Sequence, residues 1–238
     1  MHDLIRHSVE AHGGLARWNA LRQISATFSP SGPIFKQRGQ EAFTQMPTRV
    51  AIDTRKQKTT FEPFLASGQR ATFEPSRTAV ETIDGTLVEE LDNPRDSFKG
   101  PPWSATQLAY FAGYAVWMYL TAPFSFVSHD VACEEVDPWL EDGETWRALK
   151  LTFPKSYVTH STEQTLYFDA AGLIRRQDYF VEVAAGAPVA HYLDDHRAFD
   201  SFVFPTRRRV YLRNPDRTPQ KDLAIINADF SEIKLDRN

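Results

Sequence analysis

Short segments of alternating apolar and polar residues dominate the chain and predict a β-rich fold. From Gln23 onward, Ile24, Ala26 and Phe28 alternate with polar residues, which is the two-residue period of a half-buried strand. Similar segments, separated by turn residues, predict strands at 35–46, 48–54, 59–64, 70–74, 77–83, 145–153, 163–169, 173–183, 189–195, 197–212 and 223–233. This spacing is typical of an antiparallel meander.

Two helical segments interrupt the strands. Apolar residues at three- and four-residue steps predict a helix over 3–21, which Gly13-Gly14 divides into two shorter helices. A longer helix is predicted over 104–122, with Ser104 as its N-cap and Pro123 as its stop. Two groups of strands around one apolar helix, without a flexible linker, predict a single α+β, mostly β domain over residues 1–238. The loops at 91–102 and 134–144 are predicted to connect these elements.

The 104–122 helix is apolar nearly all round, so it should be covered on both sides. In a β-rich domain this places it against the concave face of the sheet. Ordinary core is the preferred interpretation, and the wall of an apolar ligand cavity is the alternative. A stripe of Tyr110, Tyr114 and Trp117 supports the alternative, because buried hydroxyl and indole N–H groups need partners. The candidate ligand-binding residues of the helix are Tyr110, Phe111, Tyr114, Trp117 and Met118. Weaker candidates on the strands, whose inward faces the sequence leaves open, are Phe61, Phe73, Tyr167 and Tyr179.

Composition and charge exclude several classes of protein. There are 27 basic and 31 acidic side chains, a net charge of −4, which does not suggest a nucleic-acid-binding protein. No Asp, Glu, Lys or Arg occurs between Lys99 and Asp130, but Pro123 and several hydroxyl groups interrupt the apolar stretch 108–127. A buried helix is therefore expected there, and no integral membrane span. The single cysteine, Cys133, and the charged N-terminal residues predict a cytoplasmic location.

Three segments carry a resemblance to a known family. They are AHGGLARWNALRQI (11–24), TLYFDAAGLIRR (165–176) and DDHRAFDSFVFPTRR (194–208). With the order of the strands, they resemble the LolA-like family of bacterial lipoprotein carriers and their relatives. The resemblance implies a half-barrel: a single curved antiparallel sheet, incomplete as a barrel, with helices covering its concave face. It also implies a hollow apolar site for an acyl chain or another apolar small molecule.

Residues with catalytic or metal-binding potential do not form a recognisable motif. On a strand, His191 and Asp195 would share one face while Asp194 and His196 share the other, which splits a possible ligand set. The sequence contains neither a nucleophile elbow nor a glycine-rich phosphate loop. Cys133 lies beside two glutamates, which disfavour its thiolate. We therefore predict no metal, no cofactor and no catalytic residue.

Two main functions are consistent with the sequence. The preferred one is a non-catalytic binding or carrier protein for an apolar small molecule, lipid or acyl chain, oriented by tyrosines and an arginine at the mouth. The alternative is a small enzyme in the same cavity, with a tyrosine, His191 or His196 transferring a proton. A third possibility is protein interaction through a sheet edge. The six basic side chains within 207–221 are either solvated or form an anion site, and the sequence leaves ligand identity and oligomeric state open.

Overall fold

The computed structural model describes residues 1–128 and 130–237. Its helices are α1 Asp3–Ala11, α2 Leu15–Trp18, α3 Pro33–Gln37, α4 Ala105–Thr121 and α5 Ser125–Ser128. Its strands are β1 Leu21–Ser31, β2 Thr48–Asp53, β3 Thr59–Glu62, β4 Gln69–Glu74, β5 Arg77–Thr82, β6 Leu87–Asp92, β7 Ala132–Glu141, β8 Glu144–Thr152, β9 Glu163–Phe168, β10 Ile174–Val181, β11 Ala187–Phe199, β12 Phe202–Leu212 and β13 Ile226–Arg237.

In the described part of the chain, thirteen strands form one antiparallel sheet in the order β6-β5-β4-β3-β2-β1-β13-β12-β11-β10-β9-β8-β7. Each half of the chain is therefore a meander, and the two meanders join where β1 pairs with β13, with Phe28 opposite Phe230. The strands β6 and β7 stand at the two ends of this order, so the sheet does not close on itself. This arrangement confirms the predicted fold class, a mostly β, incomplete barrel.

The sheet curves around α4. The backbone of α4 lies against β2 to β6 of the first meander. On its other side, the Tyr119 ring of the same helix contacts the His191 ring of β11 at 4.9 Å and the guanidinium of Arg208 on β12 at 4.4 Å. A single sheet can reach two sides of one helix only if it bends around it. Thus α4 occupies the concave side of the sheet, as the sequence predicted.

Local signals explain where α4 begins and ends. The Ser104 hydroxyl accepts a hydrogen bond from the Gln107 backbone N–H, and the Gln107 side chain accepts one from the Ser104 N–H. This reciprocal capping satisfies two backbone donors that a helix start otherwise leaves unpaired. Ala122 is extended, because the residue before a proline is disfavoured in the helical region. The predicted helix over 104–122 is confirmed, with Ser104 as its N-cap.

Two of the elements assigned from the sequence are wrong. The segment 35–46 forms the short helix α3 and a 3-10 turn at Glu41–Thr44 instead of a strand. Pro33 at the helix start has its φ already set for a helix, and its missing N–H is not needed there. The acidic segment 134–144, predicted as a loop, forms most of β7 and its turn. Except for Glu141, whose side chain is 9% exposed, its charges face solvent on an edge strand, where charged side chains are common.

No helix within residues 1–128 and 130–237 combines the length and the apolar character that crossing a membrane requires.

Gly113 allows the close contact between α4 and β4. A Cβ atom at this position would lie 2.3 Å from Phe73 Cβ and 2.4 Å from Phe73 Cγ. The Gly113 carbonyl also accepts a hydrogen bond from Thr59 Oγ1 at 2.9 Å, which holds the helix at this depth. A larger residue would therefore push α4 away from the sheet.

We predict that Gly113→Ala destabilises the protein by about 2 kcal/mol or more, because overpacking outweighs the gain of roughly 1 kcal/mol in helix propensity. Gly68→Ala is the matched control, since nothing lies within 4 Å of a Cβ atom there. Its stability should change by no more than about 0.5 kcal/mol. Urea denaturation measures both variants. Equal stability of the two would contradict the close packing of α4 on β4.

Candidate functional site

The predicted hollow is largely filled by α4 itself. Every residue from Leu108 to Thr121 is buried. Trp117 donates a hydrogen bond from Nε1 to the Asp53 carbonyl at 2.8 Å and packs edge-on against Tyr157. Tyr110 packs against Phe73 at 5.6 Å. The structure therefore places Tyr110 and Trp117 in the interior between the helix and surrounding elements, and not on the cavity described next.

An apolar cavity of about 290 Å³ lies between α3, the middle of α4 and strands β10 to β13. Of the predicted site residues, Phe111 and Tyr179 line it. The other apolar lining residues are Pro33, Ile34, Trp103, Val181, Ala184, Ala187, Val189, Val210, Leu212, Leu223, Ile225 and Ile226. The open space on the concave side of the sheet is therefore a cavity beside α4, against the strands of the second meander.

A tight turn holds α3 over this cavity. Gly32 has φ +125°, and a Cβ atom there would lie 2.4 Å from the Ile225 carbonyl oxygen. The Ile225 N–H in turn donates to the Val210 carbonyl at 2.8 Å, which fixes the segment before β13 against β12. Gly32 thus combines a left-handed conformation with a close backbone approach, which glycine alone tolerates easily. This contact brings Ile34 and Ile225 together at the cavity mouth.

Arg38, just after α3, and Trp103, just before α4, supply polar groups to the lining. The Arg38 guanidinium lies over the Trp103 indole at 5.2 Å from the ring centroid. The Trp103 backbone N–H donates to the Arg38 carbonyl at 2.9 Å. This pair couples the two segments that border the cavity, with the cation held against an aromatic face.

His160 brings a third polar group to the cavity. Its ring stacks on Tyr179 at 4.2 Å between centroids, and its Nδ1 is hydrogen-bonded to the Tyr114 hydroxyl at 3.2 Å. Burial, with a smaller effect of the Arg95 charge, lowers the pKa of His160 to about 3. The imidazole is therefore neutral at physiological pH. Tyr114, predicted as a ligand contact, does not line the cavity and lies behind two lining residues, this histidine and Phe111.

A polar layer continues behind the cavity wall. The Tyr179 hydroxyl is hydrogen-bonded to His191 Nδ1 at 3.4 Å, and burial lowers the pKa of His191 well below its usual value. Arg208 is only 2% exposed and donates from Nη2 to the Tyr119 carbonyl at 2.8 Å. Burial lowers the pKa of Arg208 to about 10. This layer therefore consists of neutral rings next to one buried guanidinium.

The surroundings differ among His160 and the two histidines considered for proton transfer, His191 and His196. Hydrogen bonds join His160 and His191 to tyrosine hydroxyls. His196 lies away from the cavity lining, and its Nε2 is hydrogen-bonded to the Ile174 carbonyl at 3.1 Å. Among the described residues, no ion pair joins one of these three rings to a carboxylate. The geometry thus presents tyrosine–histidine contacts without the carboxylate that would orient a general base.

The remaining sequence candidates are separated from the cavity. Phe61 packs on Phe64 in the core of the first meander. Met118 Sδ accepts a hydrogen bond from Thr159 Oγ1 at 3.3 Å in the interior. Tyr167 lies on the opposite face of the sheet, in a small cluster with Trp146 and others, because its strand position alternates away from the concave side.

Arg38, Trp103 and His160 are cavity residues that the sequence interpretation missed. Arg38 fell within a segment predicted as a strand, and Trp103 fell in the proline-rich loop before α4. A tryptophan directly before an N-cap serine was the one available signal, since a large aromatic there must find a surface to cover. His160 lies between β8 and β9 and had no sequence pattern to mark it.

No protein-family model matches the chain, and neither does any curated protein. Solved structures match over nearly its full length. They include a LolA superfamily protein from Nitrosomonas europaea, with 12% identity, a TM-score of 0.54, and 98% of this chain and 92% of that one covered. A putative outer membrane lipoprotein-sorting protein domain from Vibrio parahaemolyticus has 10% identity, a TM-score of 0.56, and coverage of 98% and 91%.

A DUF1329 family protein from Desulfovibrio piger is similar to the same extent, with 10% identity, a TM-score of 0.55, and coverage of 98% and 92%. At these identities the comparisons establish the fold. The chain has the fold of LolA superfamily structures, which confirms the resemblance inferred from the three sequence segments.

The predicted cytoplasmic location is wrong. The structures with this fold include one described as a putative outer membrane lipoprotein-sorting protein domain, and this description does not fit a cytoplasmic location. The prediction relied on a single cysteine and on charged residues near the start of the sequence. A single cysteine cannot form an intrachain disulfide in any compartment, so it does not report on location.

We predict that His160 makes the protein less stable as the pH falls. Its pKa of about 3 in the fold lies below the usual value of 6.5, so the unfolded chain binds the proton more readily between these two pH values. Stability contributed by the neutral ring is complete above pH 6.5 and falls by about 2 kcal/mol by pH 5. His160→Phe should therefore lose about 2 kcal/mol less than the native protein between pH 8 and pH 5.

Urea denaturation of both proteins at the two pH values measures this difference. Using each protein at pH 8 as its own reference removes the cost of the substitution itself. If the variant and the native protein lose the same stability, the fold does not lower the pKa of His160, and the ring is protonated in the folded protein at pH 5.

Proposed function

We propose that the chain is a non-catalytic binding or carrier protein for an apolar small molecule or a single acyl chain, held in the 290 Å³ cavity beside α4. The observation that carries this proposal is the lining, in which apolar side chains from α3, α4 and four neighbouring strands face one enclosed space. Enclosed, mostly apolar cavities with a few polar groups are the usual form of small-molecule sites.

Burial of apolar surface would supply the binding energy, at roughly 25 cal/mol per Å² removed from water. The volume of about 290 Å³ lies at the lower end of the range for ligand cavities, so it suits one chain or one small ring system. Two-chain lipids would need to leave one chain outside. The proposed ligand is therefore slender, with most of its surface apolar.

Exposed apolar residues at the rim offer a route into the cavity. Leu223 is 60% exposed and Leu212 is 37% exposed, although both line the cavity. Large apolar residues that bridge solvent and an apolar interior are a common feature of ligand access. The outer membrane lipoprotein-sorting structure with the same fold also supports a lipid as the bound molecule.

We predict that Ala187→Trp abolishes binding of the neutral probe N-phenyl-1-naphthylamine. Ala187 is half-buried and lines the cavity, so an indole there would occupy the space without displacing a packed side chain. Fluorescence titration of native protein should show saturable binding, and the variant should show an affinity at least tenfold lower.

Ala51→Trp is the matched control. Ala51 is half-buried, like Ala187. It lies between the buried Val50 and Ile52 on β2, so its side chain faces the opposite side of the sheet. This variant should bind the probe like native protein. Equal binding by Ala187→Trp and Ala51→Trp would show that the cavity is not the binding site.

A further inference from the structure

Three residues that line the cavity each have a buried side-chain nitrogen without a hydrogen-bond partner among the described residues. The atoms are Arg38 Nε, Trp103 Nε1 and His160 Nε2. All three residues line the same cavity. Trp103 is 4% exposed and His160 is 1% exposed, so their side chains are well shielded from bulk water. Buried polar atoms are nearly always paired, so unpaired nitrogens on three residues of one cavity lining point to a ligand with matching groups.

The chemistry of these nitrogens limits that ligand. Arginine and the tryptophan indole are hydrogen-bond donors only. When the Tyr114 hydroxyl donates to His160 Nδ1, the neutral ring carries its proton on Nε2 and is a third donor. The group that satisfies all of them is therefore rich in acceptor oxygens and offers few donors of its own.

Charge points in the same direction. Among the described lining residues, Arg38 is the charged one, and no carboxylate faces the cavity. No ion pair of the described residues involves Arg38, whose cation instead rests on the Trp103 ring. The cavity therefore has a positive charge at one end of an apolar space, with no acidic side chain to neutralise it.

We propose that the cavity takes a single-chain amphiphile with an oxyanion head group, a carboxylate or a phosphate, and that Arg38 and Trp103 bind this head group. The inference rests on the proposed function and names the class of ligand for it. The head group lies at the α3–α4 side, beside the stacked guanidinium and indole. The chain lies against the wall formed by Val189, Val210 and Ile226. A neutral head offers fewer and weaker acceptors than an oxyanion, and a cationic head places like charges together.

Four ligands with the same ten-carbon chain test the proposal: decanoate, decyl phosphate, decanol and decyltrimethylammonium. Each is titrated against bound N-phenyl-1-naphthylamine below its micelle concentration. The two anions should displace the probe from native protein at concentrations at least tenfold lower than decanol, because hydrogen bonds to a charged group are roughly twice as strong as neutral ones. The ammonium compound should be the weakest.

Two substitutions separate the head-group contacts from the cavity. Arg38→Met keeps the aliphatic stem and removes the charge, while Trp103→Phe keeps a ring and removes the N–H. Each should weaken the anions by about tenfold or more and leave decanol within about twofold. Arg49→Met, at an exposed position on β2, is the control for loss of one positive charge and should change no ligand. Thermal melting checks that each variant is folded.

The outcomes distinguish this inference from the proposed function. Anion preference that disappears in Arg38→Met supports it, and the stronger of the two anions tells a fatty acid from a phosphate ester. Equal displacement by anions and decanol, unchanged in Arg38→Met, overturns the head-group assignment while the apolar cavity remains a binding site. Displacement by none of the four ligands overturns the amphiphile assignment while the cavity remains a site for an apolar small molecule, and absence of saturable probe binding to native protein overturns both.

Discussion

The close packing of α4 inside the curved sheet is the constraint on which the rest of the structure depends. A sheet of thirteen strands with free edges has a large apolar concave face that must be covered. Here one helix, apolar on all sides, contacts both meanders, and Gly113 lets it approach β4 closely enough to bury every residue from Leu108 to Thr121. Because the helix reaches both meanders, it also holds the curvature of the sheet. A less apolar helix would have to expose one side, and the two meanders would lose their common surface.

This packing also decides where a ligand can lie. The middle of the hollow is occupied by aromatic side chains of α4, so the open space is displaced toward β10 to β13, where α3 and the segment before β13 form its cover. That location explains why Phe111 and Tyr179 reach the cavity while Trp117 and Phe61 do not. Neighbouring residues on one helix thus have different roles, because successive side chains of α4 point in different directions around the helix axis and face different parts of the curved sheet.

Much of the fold could be predicted from the sequence, because its signals are local. Ser104 and Pro123 bound α4, and the alternation in β1 is visible without knowledge of its partners. The site was less predictable, because it is formed by residues from separate segments. Arg38, Trp103 and His160 lie in a short helix end and two loops, where periodicity carries no information. Their proximity depends on the Gly32–Ile225 contact and on the long-range pairing of β1 with β13, which no single segment encodes.

The two inward-facing arginines show why burial alone does not identify a ligand group. Arg208 is the more deeply buried, and its Nε also lacks a partner among the described residues. Its Nη2, however, donates to the Tyr119 carbonyl, and its guanidinium rests on the Tyr119 ring, so α4 provides part of its surroundings. It also lies behind the cavity wall, in contact with neutral rings. Arg38 is half-buried and stacked on Trp103, yet it lines the open space next to two further unpaired nitrogens. A charge costs least in an apolar interior when something of opposite charge or strong acceptor character meets it. For Arg208 that partner is the backbone of α4, whereas for Arg38 the proposed partner is the head group of a ligand in the cavity.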